Sequence, residues 1–522
     1  MSSCLGTGAW LAIVSRNGIW ERAPGKQSPV ALPMPHGVGE EFRHISGMVA
    51  ATIRRRPRVS RRGSGWQECE PGGTGREPVQ AMAGRRSGPC PWRRGGRAMK
   101  LLSYWQDTAT PFAGAAGGPV EGRADVAVIG GGFTGLSAAL ALAERGARVV
   151  VLEAGKVAGQ ASGRNGGHVN NGTAHDIGGL AARLGLEAAR ALYRAYDDAV
   201  DTVERIVREE QIACDFRRGG KIKLAARPAH YDSIARGFDL LNREVDAETA
   251  LVPRDRIREE VGSDAFFGGL LYRKSAQMHM GRFGAGLADA AKRHGAVIFE
   301  DAPMTALKRL NGTAHRIATP RGTLEAAQVL LATGYSPRMP FFFRRRVIPI
   351  GSFIIATEPL ETVQIASIMP TRRTATTTRN VGNYFRISPD NRLIWGGRAR
   401  FALSSPSSDT KSGRVLQAGL HRTFPQLGRP RIDYCWGGVV DLTADRLPRA
   451  GEQDGLFYAM GYSGHGTQMS VHMGQQMARV MSGEPQANPL RGLDWKPVPG
   501  HFGPPWFMPL VGAYYRLKDA WS

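Results

Sequence analysis

Three glycines and one glutamate are the residues whose spacing most directly implies chemistry. Gly130, Gly132 and Gly135 form a Gly-x-Gly-x-x-Gly pattern, and Glu153 follows 23 residues after the first of them. In such a pattern the first glycine permits a tight turn and the second lets the backbone approach a pyrophosphate. The third lets a helix pack closely on a strand. A helix starting there turns free N–H groups and a partial positive charge toward phosphate. An acidic residue at about this separation accepts hydrogen bonds from a ribose. The chemistry implied is the binding of a dinucleotide, FAD or NAD.

Three further segments bear on that choice. Ser162, Gly163, Arg164, Asn165, Gly166 and Gly167 run directly into His168. Glycines there allow close backbone approach, and Arg164 and Asn165 offer donors for phosphate or for the edge of a flavin. Thr333 and Gly334 end an apolar run, Val329 to Ala332, where small residues let a cofactor lie against the chain. Gly461, Gly464, His465 and Gly466 precede an apolar-periodic stretch with Met469, Met473, Met477 and Val480. Each segment taken alone also fits an ordinary turn. His465 fits either a flavin contact or a turn histidine, and the methionine stripe reads as core packing.

These residues need particular elements to hold them. Ala124 to Ile129 is a β-rich run, Leu136 to Arg145 is helical with Gly146 as its stop, and Val149 to Leu152 is a second buried strand. Residues 124–143 are apolar enough to raise a membrane span, but the glycines at the turn and the charged flank Glu144-Arg145 argue against one. Residues 186–212 carry Leu192, Tyr196, Ala199, Val203 and Ile206 at helical spacing. Asn383 to Gly397 reads as a hairpin turning at Pro389-Asp390-Asn391.

The chain has 522 residues, 42% of them hydrophobic and 22% charged, an ordinary globular profile with a formal net charge of +24. Residues 1–98 hold 16 Lys+Arg against 6 Asp+Glu, with 16 Gly and 9 Pro. They read as a basic, disordered extension, and Met99 opens a stretch that reads as a normal protein start. An Arg-rich, acid-poor beginning is also similar to a transit peptide, while no secretory signal is evident. The five cysteines (Cys4, Cys69, Cys90, Cys214 and Cys435) are scattered. They form neither a disulfide framework nor a metal site, and a reduced, cytoplasmic setting is expected.

Together the segments resemble the FAD-dependent D-amino acid oxidase-like (DAO) superfamily, and within it the γ-glutamylputrescine oxidases. Beyond the glycine loops, the similarity is carried by Cys214 to Gly220, Tyr384 to Ser388, Asp390 to Gly397, Thr423 to Leu427, Ile432 to Tyr434 and Arg446 to Pro448. It implies an α/β fold: a Rossmann-like FAD-binding domain (99–185, 270–340 and 436–485) interleaved with an antiparallel-sheet substrate domain (186–269 and 341–435). Residues 486–522 form a C-terminal tail. It also implies FAD as cofactor and an amine such as γ-glutamylputrescine as substrate. Oxidative deamination would yield aldehyde, ammonia and hydrogen peroxide, with O₂ as acceptor.

Two departures sharpen that expectation. Sarcosine oxidase relatives carry a flavin-linking Cys where this chain has Gly438, so FAD is expected to be non-covalent. They also carry a carboxylate-binding Lys where this chain has Gln468, which suits a primary amine better than a small amino acid. No catalytic residue is assigned; His168, Tyr384 and Trp395 are the candidates. Tyr384 and Trp395 suit either an aromatic wall for an ammonium group or a sheet core. Arg386 suits either a substrate carboxylate or solvent. His279 is set aside. Two alternatives remain: a D-amino acid or sarcosine-type dehydrogenase passing electrons to a quinone, and a basic nucleic-acid-binding protein. The first expectation carries no nucleic acid, no metal and no transmembrane span, and leaves the oligomeric state open.

Overall fold

The computed structural model describes residues 98–503, 505 and 507–521. The extension expected over 1–98, with Cys4, Cys69 and Cys90, thus lies outside the described residues save for Ala98. From the N-terminal side, β1 (Arg123–Ile129), α1 (Phe133–Glu144) and β2 (Val149–Leu152) form the strand–turn–helix–strand unit. Then come α2 (Leu186–Glu209), β3 (Lys221–Leu224), β4 (Gly269–Tyr272), α3 (Met280–Arg293), β5 (Val297–Phe299) and β6 (Gly322–Leu331). The chain continues through β7 (Ile348–Pro359), β8 (Thr374–Thr377), β9 (Asn383–Ile387), β10 (Arg392–Gly397) and α4 (Pro406–Thr423). Last are β11 (Ile432–Leu442), β12 (Arg449–Gln453), β13 (Leu456–Met460), α5 (Gly466–Met481) and α6 (Met508–Trp521).

Two eight-stranded sheets result. The first runs β12-β13-β6-β1-β2-β5, with a hairpin of Ala306–Asn311 and Ala314–Thr319 paired onto β6. Its central pairings are parallel. This is the consequence of an apolar strand followed by a helix that crosses back over the sheet. The second runs β11-β7-β10-β9-β8-β3-β4 and ends on Ala250–Val252. It is antiparallel except where β8 meets β3. The fold is mixed α/β. The changeovers expected after 269 and 435 are corrected: β4 and β11 straddle them and pair entirely within the second sheet. Strand pairing, rather than sequence similarity, decides where a chain leaves a sheet.

Helix α1 is buried from Phe133 to Ala143. One side lies on β1 and β2, and α5 crosses the other. The crossing is close because small residues face each other: Ser137 Oγ donates to the Val471 carbonyl at 2.7 Å. A Cβ at Gly474 would sit 2.5 Å from the Thr134 carbonyl oxygen. Met469, Met473 and Met477 are buried in this crossing and fill it as core. Among the described residues no helix is long and apolar enough to cross a membrane. The apolar stretch at 124–143 divides into a strand, a turn and a helix instead.

Candidate functional site

The glycine turn is built as its spacing requires. Gly130 has φ +112°, and a Cβ on it would lie 2.7 Å from the Ala332 carbonyl oxygen. A Cβ at Gly135 would collide with the Gly130 carbonyl, so α1 seats on β1 only with glycine there. The N-cap of α1 is Gly132, which has no side chain to satisfy the first-turn N–H groups. Glu153 closes the turn from β2: its Oε2 accepts from Gly131 N–H at 2.6 Å and its Oε1 from Gly155 N–H at 2.8 Å. Partial burial raises its pKa against the lowering effect of these N–H donors.

Two further loops meet this turn. Ser162 Oγ accepts from the Phe133 N–H at 3.0 Å, tying the Ser162–Gly167 segment to the first turn of α1. Arg164 and Asn165 hold that segment in shape: Arg164 Nε donates to the Gly437 carbonyl at 2.7 Å, and Asn165 Oδ1 accepts from Gly167 N–H at 2.9 Å. A Cβ at Gly166 would press on the Tyr384 ring at 2.6 Å, and one at Gly163 would strike the Ala158 carbonyl. The Gly461–Gly466 loop is pinned by Asp441, whose Oδ2 accepts from Gly461 N–H at 2.7 Å. Tyr462 OH meets Thr134 Oγ1 at 2.9 Å, so this loop also touches α1. Gly461 and Gly464 have φ +77° and +87°, a region that favours glycine. Thr333 and Gly334 follow β6 beside them; a Cβ at Gly334 would be 3.7 Å from Asp441 Oδ2.

The second sheet presents two unlike faces, set by the two-residue side-chain period of strands. One register row runs Ile222, Ala375, Phe385, Trp395, Ile355 and Cys435. All six pack in one apolar cluster under α4. The next row runs Lys223, Thr376, Tyr384, Gly396, Ile354 and Trp436 on the opposite face, where Ile354 and Trp436 join a different cluster. Tyr384 meets His168 edge-on, with ring centroids 5.6 Å apart, and its hydroxyl meets Ser352 Oγ at 3.0 Å. Trp395 is corrected: it stacks on Phe385 at 4.8 Å in the core behind the sheet and does not join His168 and Tyr384. One residue of phase separates the two aromatics.

The polar face is strongly cationic. Arg386 is buried and donates through Nη1 to the carbonyls of Gly167 (2.5 Å) and Met278 (2.9 Å). It clamps the Gly166-Gly167 turn, so its burial overturns the solvated reading of this arginine and its carbonyl bonds leave the substrate-carboxylate alternative without support. Lys221 donates to the Asn171 carbonyl at 2.6 Å and lies 4.0 Å from the Tyr272 ring centroid. Burial brings it down to about 7. Burial, with the charges of Arg386 and Lys221, pushes His168 down to about 3. His465 falls to about 3 by burial and the charges of Arg446, Lys221 and Arg398. Both imidazoles are neutral at physiological pH. Each keeps one buried ring nitrogen without a hydrogen-bond partner: Nε2 of His168 and Nδ1 of His465.

Lys221, Asp441 and Trp105 went unnoticed in the sequence. Trp105 Nε1 donates to the Asn165 carbonyl at 2.6 Å from sixty residues away. The one legible signal was Lys221-Ile222-Lys223-Leu224, an alternation with lysines on one face of a strand. His279 caps α3, accepting from the Arg282 N–H at 3.3 Å. Cys435 is a buried thiol pushed up to about 12 by burial, and it belongs to the row behind the sheet. Among the described residues, Glu144, Glu210 and His294 bring ligand-type atoms within 4.8 Å of one another. Glu210, however, is engaged by Arg293 at 2.7 Å and His294 at 3.0 Å.

The glycine cradle and the two unpartnered imidazole nitrogens fit a dinucleotide whose far end offers N–H and C=O groups, which FAD has and the nicotinamide half of NAD has fewer of. The model of the FAD dependent oxidoreductase family, DAO, matches residues 125–480. The gamma-glutamylputrescine oxidoreductase of Escherichia coli (strain K12) is 32% identical over 401 residues, covering 76% of this chain and 92% of that protein. A probable oxidoreductase OrdL of Haemophilus influenzae is 32% identical over 375 residues, 69% of this chain and 84% of that one. Among solved structures, glycine oxidase from Geobacillus kaustophilus superposes with TM-score 0.57 at 22% identity, covering 69% of this chain and 95% of the other. The L-amino acid deaminase of Proteus myxofaciens gives TM-score 0.59 at 17% identity, covering 72% and 94%. The chain belongs to the DAO family of FAD-dependent oxidoreductases and is an enzyme of that family acting on amines or amino acids.

Proposed function

We propose that the protein oxidises the terminal amine of a γ-glutamylputrescine-type substrate, using non-covalently held FAD and O₂. The observation that carries this reading is the 32% identity to a gamma-glutamylputrescine oxidoreductase along 92% of its length. The balance is amine, O₂ and water giving aldehyde, ammonia and hydrogen peroxide. Bound FAD supplies the two-electron acceptor. Gly130, Gly132, Gly135 and Glu153 would hold its adenosine and pyrophosphate. The segments Ser162–Gly167, Thr333-Gly334 and Gly461–Gly466 would hold the remainder, with His168 and His465 beside it. The second sheet, carried by the segments 186–272 and 341–442, would supply the substrate side of an interleaved pair of domains.

The chain's own contribution is electrostatic. Lys221 and Arg386 lie close enough to His168 to depress it. The same positive face disfavours an ammonium ion, so an amine bound there sheds its proton to water and presents a lone pair. That is the form from which a C–H bond next to nitrogen is most easily broken. Neutral His168 does not act as a general acid at pH 7. Tyr384, with its hydroxyl held up at about 12 by burial, orients through its ring and its bond to Ser352.

Cys435 has its thiol behind the sheet, which supports non-covalent cofactor binding. Cytoplasmic residence accords with Cys214 and Cys435 being free thiols. The test is peroxide release from purified protein offered γ-glutamylputrescine, putrescine, sarcosine and D-amino acids. Turnover of the first substrate supports the proposal, and turnover of D-amino acids alone overturns it. Turnover with a reducible dye but without peroxide assigns a quinone-type acceptor instead. Flavin remaining on the polypeptide in denaturing mass spectrometry would refute non-covalent binding.

A further inference from the structure

Arginines on and around the second sheet are mostly matched. Arg386 is spent on three carbonyls, Arg392 pairs with Asp390 and Asp433, and Arg449 pairs with Asp445. Arg398 has no such match: it donates through Nη1 to the Asn380 carbonyl at 3.5 Å, and among the described residues no carboxylate forms an ion pair with it. It follows β10 directly, two residues beyond Gly396, whose missing side chain makes room for the Tyr384 ring. The two-residue period puts Arg398 on that same face. Continuing the β7–β10 register by one step sets it opposite Ser352, the partner of the Tyr384 hydroxyl. Its Nη2 lies 3.9 Å from where a Cβ on Gly464 would be, so it reaches the Gly461–Gly466 loop.

The surroundings are fixed around it. The Asp519 carboxylate accepts from the N–H groups of Asn380 and Val381, which holds the Asn380 carbonyl in place. Tyr515 of the same helix, α6, stacks on Phe401 at 6.4 Å. Lys223 stands in the Tyr384 row, and its nearest acidic charge, Asp176, is occupied as the cap of Gly179. A guanidinium is a planar fork with five donors and suits a two-oxygen carboxylate better than a single carbonyl. We propose that Arg398 receives a carboxylate of the substrate, at the edge of the sheet face that carries Tyr384, and so selects amines bearing an acid group at their far end. This rests on the amine-oxidation reading above.

The test compares wild-type holoenzyme with Arg398→Gln and Arg398→Lys. The ratio of kcat/KM for γ-glutamylputrescine over putrescine is expected to fall at least about tenfold in Arg398→Gln, with part of it restored in Arg398→Lys. Binding without turnover is read by titrating γ-glutamyl butylamide, which keeps the carboxylate but lacks the terminal amine of the proposed reaction, against the flavin absorbance. Its affinity should weaken by a similar factor in Arg398→Gln. In wild type, the α-carboxamide of the same butylamide, which replaces the carboxylate by a neutral amide, should bind at least about tenfold more weakly; this arm stands even if Arg398→Gln does not fold. An unchanged ratio, equal affinity for the two butylamides, or equal displacement of the probe by inorganic phosphate overturns the proposal. Wild type that oxidises no terminal amine, yet binds the probe through Arg398, overturns the amine reading and leaves the carboxylate site standing.

Discussion

At the scale of single residues, buried polar groups matter most because their partners are so specific. Arg386→Met would strand the Gly167 and Met278 carbonyls in a buried site. A loss of about 1–3 kcal/mol is expected, read as a lower urea midpoint together with less flavin per polypeptide. Glu153→Gln keeps the shape but removes the charge that faces the Gly131 and Gly155 N–H groups. FAD affinity should fall by roughly tenfold, as expected for a hydrogen bond to a charged group, in a fluorescence titration of apoprotein. Lys221 gives a pH signature. Its folded pKa of about 7 lies below the ordinary 10.5, so between those values the unfolded chain binds more protons. Its contribution to stability therefore rises with pH from about 7 to 10.5, and the cost of burying its charge is fully present below 7. Lys221→Met should remove that rise from a pH series of unfolding midpoints. An unchanged slope would mean the ammonium is not held in the buried position described.

At the scale of elements, the crossing of α1 and α5 and the two faces of the second sheet decide what the site can be. Gly474→Ala places a Cβ 2.5 Å from the Thr134 carbonyl oxygen and 2.8 Å from the Ala138 N, both backbone atoms of α1. One helix must move, at a cost of about 1–3 kcal/mol. Since Thr134 also holds Tyr462, a lower Tm should come with weakened FAD retention. Trp395→Phe separates the two faces. It should lower Tm by loosening the stack on Phe385, with the larger effect on stability and only a small one on kcat. A kcat loss beyond about tenfold with Tm intact would return Trp395 to the substrate side.

At the scale of the whole molecule, two sheets of different construction meet along three glycine loops that are far apart in sequence. The parallel sheet supplies the dinucleotide turn and the antiparallel sheet supplies Tyr384 and a row of cations. C-terminal helix α6 closes part of the second sheet: Phe507, Met508 and Val511 pack with Ile348, Ile350 and Val498. The C-terminal run packs on its own fold at these residues. The net charge of +24 also divides at this scale, since part of its basic excess within the described residues lines the interior face that holds Lys221, Arg386 and Arg398.

What the sequence determined by itself were the features that depend on neighbours along the chain. The Gly-x-Gly-x-x-Gly turn, the positions of α1 and α2, and the hairpin of β9 and β10 follow from local sterics and periodicity and were legible, although α1 begins at Phe133, three residues before the expected Leu136. The tertiary structure alone decided which face of that hairpin met the site. Tyr384 and Trp395 sit in the same hairpin with the same apparent chemistry, and only the pairing register separates substrate side from core. It also decided that Arg386 is a clamp and that, among the described residues, Arg398 lacks an acidic partner. The availability of a charge depends on groups brought to it from elsewhere in the chain: Gly167 and Met278 come to one arginine, and among the described residues the Asn380 carbonyl comes to the other.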